Sequence, residues 1–194
     1  MKKLAVLFFA LCVLGLPALA GIDQGIDKGM VYVSVMGGFT APITGYQDDT
    51  DFGGNGPTYG SQLMFHGTQH FGIGAELNMA KYEKETTAGI DFSADIARFM
   101  VAMRFTFTPE AKTRFYIPLG AGMAKYTGKA SGTEESCTKP AAYAGLGVEA
   151  DLNDIFVIGG EARFNAWQID KDKFDGETEY LSDVALLLKV GIKF

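Results

Sequence analysis

Every second residue counted back from Phe194 is apolar: Ile192, Val190, Leu188, Leu186 and Val184. The residues between them, Lys193, Gly191, Lys189, Leu187, Ala185 and Asp183, are small, mixed or charged. A period of two over that length is an extended strand with one apolar and one polar face. The alternation recurs along the chain, and no segment carries a convincing helical period. Extended segments are expected at roughly Met30–Thr40, Thr58–His66, His70–Tyr82, Ile90–Phe107, Thr113–Tyr126, Ala141–Leu152, Ile155–Ile169 and Tyr180–Phe194. The chain holds 25 glycines, which suit strands with small residues on one face better than helices.

Most segments sort cleanly. In the third, Phe71, Ile73, Ala75, Leu77 and Met79 oppose Gly72, Gly74, Glu76 and Asn78. In the fourth, Phe99, Val101, Met103 and Phe105 oppose Arg98, Met100, Ala102 and Arg104. The sixth and seventh place Glu149, Asp151, Glu161 and Arg163 on their glycine-rich face. The first two, with Val31, Val33 and Val35 and with Leu63 and Phe65, are weaker copies.

Lys2 and Lys3, an apolar run from Leu4 to Leu16 and the small-residue end Ala18-Leu19-Ala20 read as a secretory signal peptide over 1–20. Cleavage after Ala20 is expected to leave 21–194 as a single domain in an exported chain. The formal charge of −6 falls further once both lysines go, and an acidic exported chain is a poor partner for nucleic acid. Of the two cysteines, Cys12 leaves with the leader. Cys137 remains alone, and no Cys/His spacing suits a metal. No later apolar run reaches the ~20 residues of a membrane helix. Membrane residence would therefore require a closed barrel, since only closure satisfies every backbone group without water.

Links between segments alternate in length. Gly67–Gln69, Thr108–Lys112 and Asn153–Asp154 are short; Ala41–Pro57, Glu83–Gly89, Thr127–Pro140 and Asp170–Glu179 are longer and more polar. Such alternation fits a meander whose rims face different compartments. Aromatics gather at the ends: Phe65, Phe71, Phe105, Phe107, Phe115, Phe156 and Phe194 by the short turns, and Tyr59, Tyr82, Phe92, Tyr126, Tyr143, Trp167 and Tyr180 by the long loops. Two interfacial girdles are expected. Tyr82, Tyr126 and Trp167 have inward parity, so either bulges turn them out or they cluster inside. A soluble sandwich would share the alternation, but its solvated face would carry fewer glycines. Glycine mixed with charges of both signs suits a narrow lumen filled by side chains.

The aromatic terminus Phe194, with Ile192 and Val190 before it, resembles the closing strand of bacterial outer-membrane barrels. Ile192 departs from the pattern, where an aromatic is more usual. The chain from 21 to 194 resembles the small eight-stranded barrels of the OmpA/OmpX-like group in architecture, without a motif of one subfamily. The resemblance implies an all-β, eight-stranded antiparallel transmembrane barrel with up-and-down meander order, and both termini in the periplasm of a Gram-negative bacterium. It further implies that Phe194, Ile192 and Val190 are an assembly signal for the barrel-assembly machinery. The expected surroundings are outer-membrane lipid and lipopolysaccharide, and the expected state is a monomer.

The best constellation is luminal: the acids Glu76, Glu149, Glu161 and Asp183 with the bases Arg98, Arg104, Arg163 and Lys189. Buried charge is tolerated when paired, so ion pairs plugging the lumen are expected. The expected role is structural or surface-interacting (adhesion or protection). A narrow pore or small apolar-ligand channel is the alternative. Lipid A-modifying barrels use a histidine on the outer side, whereas His66 and His70 flank a periplasmic turn, so enzyme chemistry, cofactor and metal are not expected. Both histidines are read as interfacial polar residues. Asp48, Asp49 and Asp51, then Glu134 and Glu135, then Asp170, Asp172, Asp175, Glu177 and Glu179 make acidic outer loops, read as solvated surface that divalent ions could bridge to lipopolysaccharide. Cys137 is placed in the third outer loop, Thr127–Pro140.

Overall fold

The computed structural model describes residues 29–44, 55–85, 91–130, 133–170 and 178–194. The leader over 1–20, the aspartates at 48, 49, 51, 172 and 175, and Glu177 lie outside them. Eight strands form: β1 (Val31–Thr44), β2 (Gly56–His66), β3 (Phe71–Glu85), β4 (Asp91–Thr106), β5 (Thr113–Ala130), β6 (Thr133–Asp151), β7 (Phe156–Asp170) and β8 (Thr178–Lys193). Each pairs antiparallel with its sequence neighbours, and β1 pairs with β8 to close the barrel. No helix among the described residues is long and apolar enough to cross a membrane.

The two faces are inverted relative to a soluble protein. Val35, Leu77, Phe99, Val101 and Leu146 point outward, each at least half exposed. The interior holds Gln62, Glu76, Asn78, Arg98, Arg104 and Asp183. So continuous an apolar exterior is unsuited to water and matches the lipid face of a membrane barrel. The seam is sealed at one rim by Val31 and Phe194, whose backbone groups exchange hydrogen bonds of 3.0 and 2.9 Å. We call this the terminal rim and the other the far rim.

Three expectations need correction. The link expected at Thr127–Pro140 is largely strand: β5 and β6 continue in register to Ala130↔Thr133. This hairpin is polar on both faces, so it lacks the apolar stripe that marks a strand in a sequence. Cys137 consequently lies in β6 opposite Tyr126, half-buried against the interior, rather than in a loop. The far-rim girdle is the second correction. Tyr59 and Tyr180 face outward, but Tyr82, Tyr126, Tyr143 and Trp167 are buried inside with Ile96, Met100 and Leu181. The inner clustering, not the bulge, accounts for their parity. At the terminal rim Phe65, Phe105, Phe107, Phe115, Phe156 and Phe194 do face outward. The third is His66, which is fully buried against Tyr32 with ring centroids 4.8 Å apart, not interfacial. Its inward parity, shared with Gln62 and Met64, decides that. His70 is exposed, with Nδ1 2.9 Å from the Thr106 carbonyl.

Candidate functional site: the charged lumen

Inward parity on adjacent strands stacks polar side chains into three layers. Nearest the far rim, Asp183 of β8 accepts from Tyr82 Oη at 2.8 Å and from Asn165 Nδ2 at 2.5 Å, and pairs with Arg98. Arg98 also donates to Asn78 Oδ1 at 3.0 Å, and its guanidinium lies 4.8 Å from the Trp167 ring centroid. The middle layer is built on Glu76, Glu161, Arg163 and Lys189. Arg163 bridges Glu76 and Glu161. Gln62 Nε2 and Tyr143 Oη donate to Glu76 at 2.9 and 3.0 Å. Lys189 donates to Gln62 Oε1 at 2.6 Å and lies 3.3 Å from Glu161.

At the terminal rim Glu149 joins Arg104 and Arg114, the latter through Nε at 3.0 Å. Asp151 takes the fork of Arg114 at 2.6 and 2.5 Å, and Lys193 at 2.8 Å. Bidentate pairing fixes direction as well as charge. Here the arginine is held by two carboxylates one strand away. All eight charges singled out in the sequence lie in this lumen and are ion-paired. Arg114, Asp151 and Lys193 extend the set. Arg114 and Lys193 were missed because they stand at strand ends, although both continue the inward parity of Tyr116 and Lys189.

Two tyrosines tie the layers to the wall. Tyr116 of β5 covers Gly147 of β6, and Tyr143 of β6 covers Gly120 of β5. A Cβ built at either glycine would come within 2.2 Å of the ring. The rings then receive cations, Arg104 at 3.7 Å over Tyr116 and Arg163 at 4.3 Å over Tyr143. Tyr116 Oη donates to Glu161 at 2.8 Å. Gly120→Val is therefore expected to evict Tyr143 from Glu76 and to cost ~1–3 kcal/mol, read as a lowered urea midpoint in lipid vesicles. Gly160→Ala is the control: a Cβ there meets nothing nearer than 3.5 Å, and the midpoint should barely move.

The model for the outer membrane protein beta-barrel domain family matches residues 6–194. The chain belongs to that family. This barrel places it in the bacterial outer membrane, with its apolar belt in lipid. Solved structures of similar shape include Neisserial surface protein A (TM-score 0.62, 13% identity, covering 86% of this chain and 100% of that one). The N-terminal barrel of Pseudomonas aeruginosa OprF is another (0.57, 15%, 88% and 100%). Ail, the attachment invasion locus protein of Yersinia pestis, is a third (0.57, 17%, 86% and 99%). At such identities they share the fold with this barrel and nothing finer. No curated protein matches the chain. Among the described residues no cluster of histidine, cysteine and carboxylate side chains could hold a metal ion.

Proposed function

We propose that this barrel is a non-enzymatic scaffold of the outer membrane, its lumen plugged by ion pairs and its exterior loops serving surface interaction. One observation carries the plug: eleven buried charges, six basic and five acidic, fill the interior in bridged layers. Eight strands enclose a bore that side chains can fill, and here each layer spans several strands. The proposed orientation puts the terminal rim in the periplasm after cleavage at Ala20, and the far rim outside. The outward stripe of β8, Phe194 and Val190 exposed with Ile192 between them, is proposed as the strand the barrel-assembly machinery reads.

Ail is named for attachment and invasion, and one structure holds it with sucrose octasulfate, a heparin analogue. That supports a surface role for the shape, but a polysulfate suits this chain poorly. Its sequence pI is about 4.9, and its luminal charges nearly cancel, so the acidity lies elsewhere in the chain. Lipopolysaccharide bridged by divalent ions, or a cationic partner, fits better by charge.

Planar-bilayer recording tests the plug. The intact barrel should show no steady unit conductance, whereas the doubly cut variant Arg98→Ala with Arg163→Ala should leak. Unit steps in the intact barrel that vanish on changing Arg98 or Arg104 would establish the narrow pore instead.

A further inference from the structure

Beyond the far rim the barrel wall does not end evenly. β5 and β6 stay paired up to Ala130↔Thr133, and β3 and β4 up to Glu85↔Asp91. β4 and β5 stay paired to Phe92↔Ala130, so β3 to β6 continue as one sheet past the outward Met79 and Met123. β7 leaves this sheet. Its pairing with β6 begins at Ala141↔Trp167, and above that point Gln168, Ile169 and Asp170 pair with β8 alone. Among the described residues, Thr133–Pro140 therefore has β5 on one side and no strand on the other. That is about 26 Å of open edge. Alternate residues along it turn their N–H and C=O groups away from β5, an arrangement that a further strand completes.

The residues of the edge select the strand that fits. They run Glu134, Glu135, Ser136, Cys137, Thr138, Lys139, Pro140. When two copies of one strand pair antiparallel about a two-fold axis, one residue must face its own copy. Centring the pair on Glu134, Glu135 or Lys139 sets like charges opposite one another. Centring it on Ser136 or Thr138 sets no acid opposite a base. Centring it on Cys137 puts Glu135 opposite Lys139 of the second copy, and Lys139 opposite its Glu135, with Ser136 facing Thr138. Opposite charges directly across a strand pair favour that register. Glu135, Cys137 and Lys139 lie half-buried on one face. Glu135 Oε2 is a buried acceptor without a hydrogen bond, and a lysine from the second strand would supply one.

We propose that Thr133–Pro140 is a homotypic docking edge, pairing antiparallel with the same edge of a second copy about Cys137. In every copy β6 runs from the far rim to the terminal rim. Two barrels in one membrane carry β6 in the same sense, so antiparallel pairing requires barrels in two facing membranes. The partner for the surface interaction proposed above is then this same chain on a neighbouring cell. That placement rests on the far rim lying outside; the pairing itself does not.

Cys137 is the one cysteine beyond the leader's Cys12, so a thiol cross-link reports on this position alone. The full barrel without its leader, one copy per lipid nanodisc, is treated with a short bismaleimide. A covalent dimer joining two discs should form, and sedimentation should show paired discs before the reagent is added. Glu135→Lys alone and Lys139→Glu alone each set like charges opposite one another twice, and each should cut the dimer yield about tenfold. Mixed in equal amounts, the two variants restore acid opposite base, and the yield should return as a heterodimer. Moving the thiol, by Cys137→Ser with Glu134→Cys, should give no dimer, since the two copies of position 134 stand about 20 Å apart in this register. Heat-dependent gel mobility checks that each barrel is closed. No pairing of the native barrel, native yields in both charge variants, or no recovery on mixing closed variants would overturn the edge. Orientation is read separately, with a membrane-impermeant maleimide on intact cells. Labelling of Cys137 is expected; no labelling would withdraw the cell-to-cell placement and leave the pairing standing.

Discussion

Glu149→Gln is expected to lower the unfolding free energy of the barrel by about 3–5 kcal/mol. Glu149 is the carboxylate shared by Arg104 and Arg114 at the terminal rim, and all three side chains are at most 2% exposed. The amide keeps the volume and removes the charge. Two guanidiniums are left in a closed interior, with Asp151 alone to balance them and Lys193. Removing one member of a buried pair costs far more than the pair's net worth, because the survivor keeps its desolvation penalty. Urea titration in lipid vesicles, followed by Trp167 emission and by gel mobility, measures it. Glu134→Gln is the contrast. Its partner Lys129 lies 3.4 Å away and both side chains are at least half exposed, so the loss should stay below about 1 kcal/mol. Equal effects at the two sites would mean that water reaches the lumen freely and that the layers are not a plug.

A charge on the outer face tests the other half of the inversion. Leu188→Arg and Val101→Arg, on strands far apart round the barrel, should each cost ~2–4 kcal/mol if their sites lie near the bilayer midplane. Both side chains are 40–50% exposed in the bare barrel, so in water an arginine there would be nearly free. The penalty comes from lipid. The readout is the urea midpoint in vesicles, and the same variants folded in detergent micelles, where the charge can find water, should recover part of the loss. No penalty in vesicles at either site would take the apolar belt out of the membrane.

The strands, their facing and the antiparallel order were legible because lipid and lumen impose opposite polarity on alternate residues. Where that contrast ends, legibility ends. Thr133–Pro140 of β6 rises past its pairing with β7, which begins at Ala141↔Trp167, and both its faces are polar. Nothing in its period distinguishes it from a loop. Among the charges, parity alone located Glu76, Arg98 and Asp183. It could not say which acid meets which base, because the partners lie up to 87 residues apart, as Glu76 and Arg163 do. That is set by barrel stagger, not by local spacing. The far-rim aromatics were left between two readings for a related reason. Aromatic enrichment at strand ends signals an interface, yet Tyr82, Tyr126 and Trp167 had the parity of the interior, and parity was the better guide. His66 obeyed the same rule.

The bonds between Val31 and Phe194 join residues at opposite ends of the described chain, whereas every other ladder joins consecutive strands. Hairpins can zip in sequence, each with a short loop, but the final seam needs nearly the whole chain in hand. Its added entropic cost is small, about 3 kcal/mol over a hairpin-sized loop, since closure entropy grows only with the logarithm of length. The consequence is kinetic and all-or-none. Before the seam forms, β1 and β8 each present a row of bare amides and carbonyls that hydrocarbon cannot satisfy. A seven-eighths barrel is therefore no partial success in a bilayer. Insertion and sealing must be one event, and the population should divide into sealed barrels and chains still outside the hydrocarbon, with little between.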